Sequence, residues 1–206
     1  AGRAREAMPE YERLLKLHPD DPKLTQLLVD ALLSVGDHPR AKKQLAEALA
    51  RFPNRVDFAL SLALLHALDE ETAEADKLIQ KSIVGRPLTN DRMRLDAASL
   101  YIQLRRPDEA GPILEKLLKT SPDDAQVMAL AVRYALLTNN PKEALRRAKA
   151  LDRLYPGNVD LRLELASALY AAGDYSESGR LFDEVLKRSP KNTVALLGCA
   201  RVALRD

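Results

Sequence analysis

The chain has no tryptophan, and its six tyrosines and three phenylalanines make up only 4% of 206 residues. Alanine and leucine must therefore supply most of the 46% that is hydrophobic, which is a helix-forming composition. Eight glycines are too few for the many tight turns of an all-β fold. A single cysteine, Cys199, excludes an internal disulfide framework. Such a chain is indifferent to redox, and suits a reducing cytosol and a bacterial periplasm equally. Charge of one sign is missing too: 32 Lys and Arg nearly cancel 30 Asp and Glu, for a net charge of +2. Bulk charge thus gives no support to a general affinity for nucleic acid or an acidic membrane. The longest apolar stretches are Leu60–Leu68, which is short, and Ala125–Leu137, which carries Arg133; neither reads as a bilayer span. Nothing reads as a signal peptide or targeting segment.

Catalytic signatures are also lacking. No GxGxxG, GxxxxGK[ST] or HExxH pattern occurs. His18, His38 and His66 fall in a loop, a turn and a helix stripe, at spacings that match no metal motif. Cys199 lies on an apolar stripe with no histidine near it in sequence, which reads as a small core residue. The carboxylates mostly have a Lys or Arg three or four residues away, as in Glu115–Lys119, so none forms an acid–base pair. The expectation is no enzyme, no metal and no cofactor.

What the sequence does have is a period. Pro19, Pro53, Pro87, Pro122, Pro156 and Pro190 follow one another at intervals of 34, 34, 35, 34 and 34 residues. Twelve residues before each stands a small residue: Ala7, Ala41, Ala75, Ala110, Ala144 and Ser178. Shortly before each of the last five comes a polar break: GDHPRA, DEETAEA, RRPDEA, NNPKEA and GDYSES. In the unit at 22–55, Leu24, Leu27, Leu28, Ala31 and Leu32 make one helical stripe, and Ala41, Leu45, Ala48 and Leu49 a second. Gly36-Asp37 closes the first helix, Pro39 fits the first turn of the next, and Pro53 stops it. The same reading divides the rest into whole units at 56–90, 91–124, 125–158 and 159–192. Residues 1–21 read as a second helix and 193–206 as a first helix. That makes about 12 helices in a single array over 1–206, expected to be a segment of a longer protein. Pro9 and Pro112 fall inside second helices, where an interior proline is expected to face solvent, mark a late helix start or change the curvature.

Over its whole length this pattern resembles the tetratricopeptide repeat (TPR) family. The matching features are the 34-residue period, the small residue at position 20 and the proline at position 32, counted from Pro22, together with the turn Gly173-Asp174-Tyr175. The frequent tryptophan at position 4 is absent, replaced by Thr25, Ala59, Arg94, Met128, Arg162 and Leu196. Only Tyr101 supplies the frequent tyrosine at position 11. The resemblance implies an all-α fold, a right-handed superhelical α-solenoid of stacked antiparallel helix pairs. It also implies that the first helices line a concave groove, with positions 2, 5, 9, 12 and 13 facing a ligand. In the first whole unit those are Lys23, Gln26, Asp30 and Leu33. The second gives Asp57, Leu60, Leu64, Ala67 and Leu68, and the third Arg92, Leu95, Ser99, Ile102 and Gln103. The fourth gives Gln126, Ala129, Arg133, Leu136 and Leu137, and the fifth Asp160, Leu163, Ser167, Tyr170 and Ala171.

The middle of that groove, at Leu60, Leu64 and Leu68, is apolar enough to seat an amphipathic helix, or else packs on a neighbouring hairpin. The basic clamp that some family members use on acidic C-terminal peptides is not expected, because Gln26, Asp30, Leu60 and Leu64 occupy its places. A basic stretch, Lys142, Arg146, Arg147, Lys149 and Arg153, reads as a solvated outer face, since no aromatic residue interleaves it. The expected function is a non-catalytic scaffold that holds a partner protein in the groove or along an edge. By analogy of fold and composition its setting is a bacterial secretion or exopolysaccharide-export assembly, with the periplasm favoured over the cytoplasm. No nucleic acid and no membrane insertion are expected. The alternatives are a structural spacer that self-associates through uncapped ends and an RNA- or polysaccharide-contacting solenoid.

Overall fold

The computed structural model describes the backbone of residues 2–205 and the side chains of residues 5–205. Among them are twelve α-helices and no strand. Contacts gather the chain into two compact units, Ala1–Leu104 and Arg105–Asp206. The first holds α1 (Gly2–Leu17), α2 (Pro22–Ser34), α3 (His38–Arg51), α4 (Val56–Leu68), α5 (Thr72–Leu78) and α6 (Asp91–Gln103). The second holds α7 (Pro107–Thr120), α8 (Ala125–Leu137), α9 (Pro141–Leu154), α10 (Val159–Ala171), α11 (Tyr175–Arg188) and α12 (Thr193–Ala203).

Asp and Asn residues in three of the polar breaks and after the phased prolines are helix caps. The side chains of Asp21, Asp37, Asn90, Asp124, Asn140, Asn158, Asp174 and Asn192 each accept a hydrogen bond from one or two backbone N–H groups of the first turn that follows. The first helix of each pair ends in a left-handed residue at position 15 of the repeat: Gly36, Glu70, Arg105, Asn139 and Gly173, with φ from 55° to 88°. The chain then folds back, with Asp37 N–H donating to Leu32 C=O at 2.9 Å and the same bond recurring at Glu71–His66, Asn140–Ala135 and Asp174–Leu169. Where glycine fills position 15 the turn is unstrained. Glu70 and Arg105 hold it against a Cβ clash. Both are exposed. Replacing either by glycine should therefore raise stability by about 1 kcal/mol, read as a higher urea midpoint with unchanged slope.

In the first unit Ala41 and Ala75, at position 20, have no exposed surface and let each helix pair close. Leu28, Val29, Leu32, Leu45, Phe58, Leu62 and Leu65 form the core around them. Leu27, read from the sequence as part of the α2 stripe, is instead 45% exposed. α4 is buried nearly all round, at Val56, Phe58, Ala59, Leu60, Leu62, Ala63, Leu65 and Ala67, because α3, α5 and α6 all pack on it. The one repeat with an extra residue departs from the pattern. Its second helix stops at Leu78 and widens into a π turn, Ile79–Ile83, closed by Val84 N–H to Ile79 C=O at 2.9 Å. The added residue itself falls after Pro87, in the loop before α6, because Ala75 and Pro87 keep the usual spacing of twelve.

In the second unit the position-20 residues Ala110, Ala144 and Ser178 are likewise fully buried, and the Ser178 hydroxyl donates to Ala166 C=O at 2.8 Å. Successive helices pack in order, and α10 also touches α8 and α12. The core joins Val132, Leu165, Leu169, Leu181, Phe182 and Val185, with Cys199 half-buried against it. Arg162, at position 4 where the family often has tryptophan, is an ionic tie: it lies 3.7 Å from Asp152 and 3.1 Å from Glu184, joining α10 to α9 and α11. Pro112 lies inside α7 with an exposed ring, and the helix begins before it, at Pro107. No helix among the described residues is long and apolar enough to cross a membrane.

Candidate functional site

Capping and the left-handed turns give α2, α4 and α6 a common direction in the first unit, and α8, α10 and α12 a common direction in the second. Positions 2, 5, 9, 12 and 13 of these first helices then share a face, since such spacings repeat on one side of a helix. The two faces have different chemistry.

In the first unit the face is closed by its own charges. Gln26 Nε2 donates to Asp30 at 3.0 Å, and Arg92 reaches both Asp96, at 3.3 Å, and Asp30, at 3.5 Å. Arg92 starts α6 and Asp30 belongs to α2, so this bridge passes over α4. On α4, Leu60 has no exposed surface. Leu60 is therefore a core residue and not a groove contact. Further along the same helices, Leu33, Leu64, Leu95, Ser99 and Ile102 are half-buried and Leu68 is 46% exposed. Arg55 braces the start of α4: it pairs with Asp57 at 2.5 Å and lies over the Phe58 ring at 4.3 Å. Burial alone would raise the Asp57 carboxyl, but the Arg55 bond and charge outweigh it and hold the group low.

Asp96 goes the other way. Burial pushes its carboxyl up, with Asp30 and Asp57 adding to the rise and Arg92 only partly opposing it. A carboxyl raised in the fold disfavours the ionised form there. Its contribution to stability is full below its ordinary value of 3.8 and is lost as pH rises through the higher folded value. Asp96→Asn should accordingly stabilise the protein at neutral pH and give no gain below about pH 3.8. Thermal melts of both proteins at two pH values check this.

In the second unit the face stays open at one end. Arg133 pairs with Glu164, Nε to carboxylate at 2.6 Å, tying α8 to α10. Leu163, expected in the groove, is only 9% exposed and belongs to the core, as do Ala67 and Ala129. Beyond the pair lies a cavity of about 260 Å³ lined by Leu136, Ser167, Tyr170, Ala171, Phe182, Gly198 and Arg201. The Arg201 guanidinium sits over the Tyr170 ring at 4.5 Å, and Arg205 Nε donates to the Tyr170 hydroxyl at 3.4 Å. That hydrogen bond, and then Arg201, pushes the Tyr170 phenol below its ordinary range. Tyr175 packs on the other side at 5.2 Å between ring centres. Gly198 lets α12 approach: a Cβ there would meet the Phe182 ring at 2.5 Å.

Of the sequence-predicted groove residues, the structure brings together Leu136, Ser167 and Tyr170 at this cavity, and Asp30 with Gln26 and Arg92 at the bridge. Arg201, Arg205, Phe182 and Gly198 were not singled out. The first two stand at positions 9 and 13 of the last half-repeat, so carrying the same frame one helix further finds them. The histidines lie elsewhere. Lys42 bonds Asp69 at 2.5 Å and Glu71 at 2.8 Å, His66 meets Glu71, and His38 is 3.9 Å from Asp69, all around the α4–α5 turn. Among the described residues no group of His, Cys, Asp and Glu could hold a metal ion. Burial and then Asp183, whose carboxylate accepts from Sγ at 3.4 Å, push the Cys199 thiol up. In the basic stretch Arg146 and Arg147 both bond Glu143 at 2.7 Å, lowering its carboxyl to about 2.

Comparison with known proteins agrees with this architecture. Tetratricopeptide repeat profiles match residues 1–65 in one case and residues 95–159, 130–193 and 163–206 in another. The human protein O-mannosyl-transferase TMTC3 is 28% identical over 155 residues, covering 74% of this chain and 17% of that protein. Cellulose synthase 1 operon protein C of Komagataeibacter xylinus is 26% identical over 215 residues, covering 96% of this chain and 14% of that protein. The chain thus spans less than a fifth of either relative. A tetratricopeptide repeat protein from Parabacteroides merdae superposes with a TM-score of 0.72 at 15% identity, covering 98% of this chain and 78% of that one.

Proposed function

Since the chain belongs to the tetratricopeptide repeat family, we propose that it is a non-catalytic scaffold which holds a partner protein on the first-helix face of its second unit. The observation that carries this reading is the contrast between the two faces. In the first unit Arg92 pairs with Asp30 and Asp96 and Leu60 is fully buried, so that face spends its charge on itself. In the second, a cavity of about 260 Å³ opens beside Arg201 and Arg205, neither of which is paired with a carboxylate among the described residues. A concave site with an apolar floor and a few converging polar groups is the usual form of a recognition site. The finer reading places the partner in a bacterial exopolysaccharide-export or secretion assembly on the periplasmic side. The likeness to cellulose synthase 1 operon protein C supports the first of these settings.

The test is a photo-crosslinking amino acid at Ser167, on the cavity wall, compared with one at Lys149 on the exposed side of α9. In cells producing the protein, Ser167 should give a discrete protein adduct and Lys149 none. Adducts at Lys149 alone, or the same adducts from both positions, would remove the cavity as the partner site.

A further inference from the structure

We infer that the cavity of the second unit recognises a peptide segment in which one large apolar residue stands directly beside an acidic one. This deepens the partner-binding reading above and rests on it. The argument starts from size. A cavity of about 150 Å³ takes a benzene ring, so one of about 260 Å³ holds a single leucine- or phenylalanine-sized side chain. Its apolar floor is the buried Phe182 ring with Leu136 beside it, and no carboxylate of the described residues lines it. The entering group must bring no charge into that floor, because an unpaired buried charge is costly.

The rim sets the second half of the motif. Arg201 lines the cavity and lies over the Tyr170 ring, and Arg205 reaches the Tyr170 hydroxyl. Tyr170 thus holds both guanidinium groups at one side of the mouth. Among the described residues their nearest attractive partners are an aromatic face and a phenol, which leave most of their N–H donors unused. In other parts of the chain arginine meets carboxylates, as Arg133 meets Glu164 and Arg162 meets Glu184. A carboxylate arriving between Arg201 and Arg205 would gain the charge-assisted bonds that those pairs already have. Because Arg201 borders the cavity itself, that carboxylate must sit within about one residue of the apolar anchor, given the ~3.5 Å reach of one extended residue. The arrangement commits to the side chain of an internal Asp or Glu.

The experiment titrates the 15N-labelled protein with four acetylated hexapeptides of serine and alanine, followed by NMR. One carries Phe-Glu with an amidated end, one Phe-Gln, one Ser-Glu, and one ends in Phe with a free carboxylate. The expected result is that the Phe-Glu peptide moves the Ser167, Ala171 and Gly198 amides and binds about tenfold more tightly than Phe-Gln or Ser-Glu. In a chain carrying R201Q and R205Q, whose melting should match the parent because both side chains are exposed, Phe-Glu should fall to the level of Phe-Gln. Equal affinity for Phe-Glu and Phe-Gln, shifts mapping outside the cavity, or no shifts at millimolar peptide would overturn the inference. So would binding of the free-acid peptide alone, which would assign the carboxylate to a chain terminus. If the Ser167 crosslink captures a protein while the peptides show no charge preference, only this inference falls. If the peptides bind as expected and the crosslink is empty, the scaffold reading falls instead.

Discussion

Leu60→Ala should destabilise the protein by about 2–5 kcal/mol, with the loss falling on the first unit. The residue stands at position 5 of its repeat, a place the family resemblance assigns to ligand contact. A surface leucine truncated to alanine would change stability by only about 0.5 kcal/mol. The structure argues for the larger figure on two grounds. Leu60 has no exposed surface, and its helix is packed by α3, α5 and α6 at once, so little room exists for the surroundings to collapse into the vacated space. Urea unfolding followed by circular dichroism gives the number. Stability within 0.5 kcal/mol of the parent would return Leu60 to the surface and undo the account of the first unit's face.

Leu60 also shows where reading the sequence stops. The helix pairs were legible because their signals are local and repeat: a proline, a polar break and a small residue at fixed offsets, each acting within one or two turns. The caps Asp124 and Asn158 of α8 and α10 lie just past the phased prolines Pro122 and Pro156. Whether Leu60 faces a ligand depends on how closely its neighbours pack on α4, and α3 and α6 lie in different repeats. No periodicity within α4 reports that. The π turn at Ile79–Ile83 left no trace in the proline spacing, since Pro53 and Pro87 keep the usual 34-residue interval around it. The same limit applies to Asp96, which looks like one more surface carboxylate until burial raises its carboxyl. The candidate cavity was half legible. Leu136, Ser167 and Tyr170 follow from the repeat frame, whereas Phe182 comes from a second helix, which the frame assigns to packing alone.

The different uses of arginine explain why only one face stays available. Arg92 is met by two carboxylates, Asp30 and Asp96, so the first unit has consumed its own cation. Arg133 is consumed in the same way by Glu164, whose side chain is only 12% exposed. On α12 and just past its end, the charges at positions 9 and 13 meet Tyr170, a partner that orients them without neutralising them. An aromatic face attracts a guanidinium by about 0.5–1 kcal/mol at an exposed site, which a carboxylate readily exceeds. The ligand would therefore strengthen an arrangement already aimed at it, and little ordering entropy would remain to oppose binding.

Phe182→Ala should cost about 3–5 kcal/mol and also abolish recognition at the cavity. The ring is only 3% exposed, and it serves two purposes at once: it belongs to the core of the second unit and forms the cavity floor. It lies so close to α12 that only glycine fits at position 198, where a Cβ would stand 2.5 Å from ring carbons. Gly198 sits inside a helix, where glycine is about 1 kcal/mol less favourable than alanine, so close packing against Phe182 must offset that cost. The pair should therefore be coupled. Gly198→Ala alone should destabilise by about 1–3 kcal/mol through overpacking. In the Phe182→Ala background the same change should stabilise, because the clash is gone and the helix preference of about 1 kcal/mol is recovered. A double-mutant cycle from four urea titrations measures the difference, and a change of sign between the two backgrounds is the expected outcome. Equal effects in both would mean that Phe182 does not press on α12, and the cavity floor would need another owner.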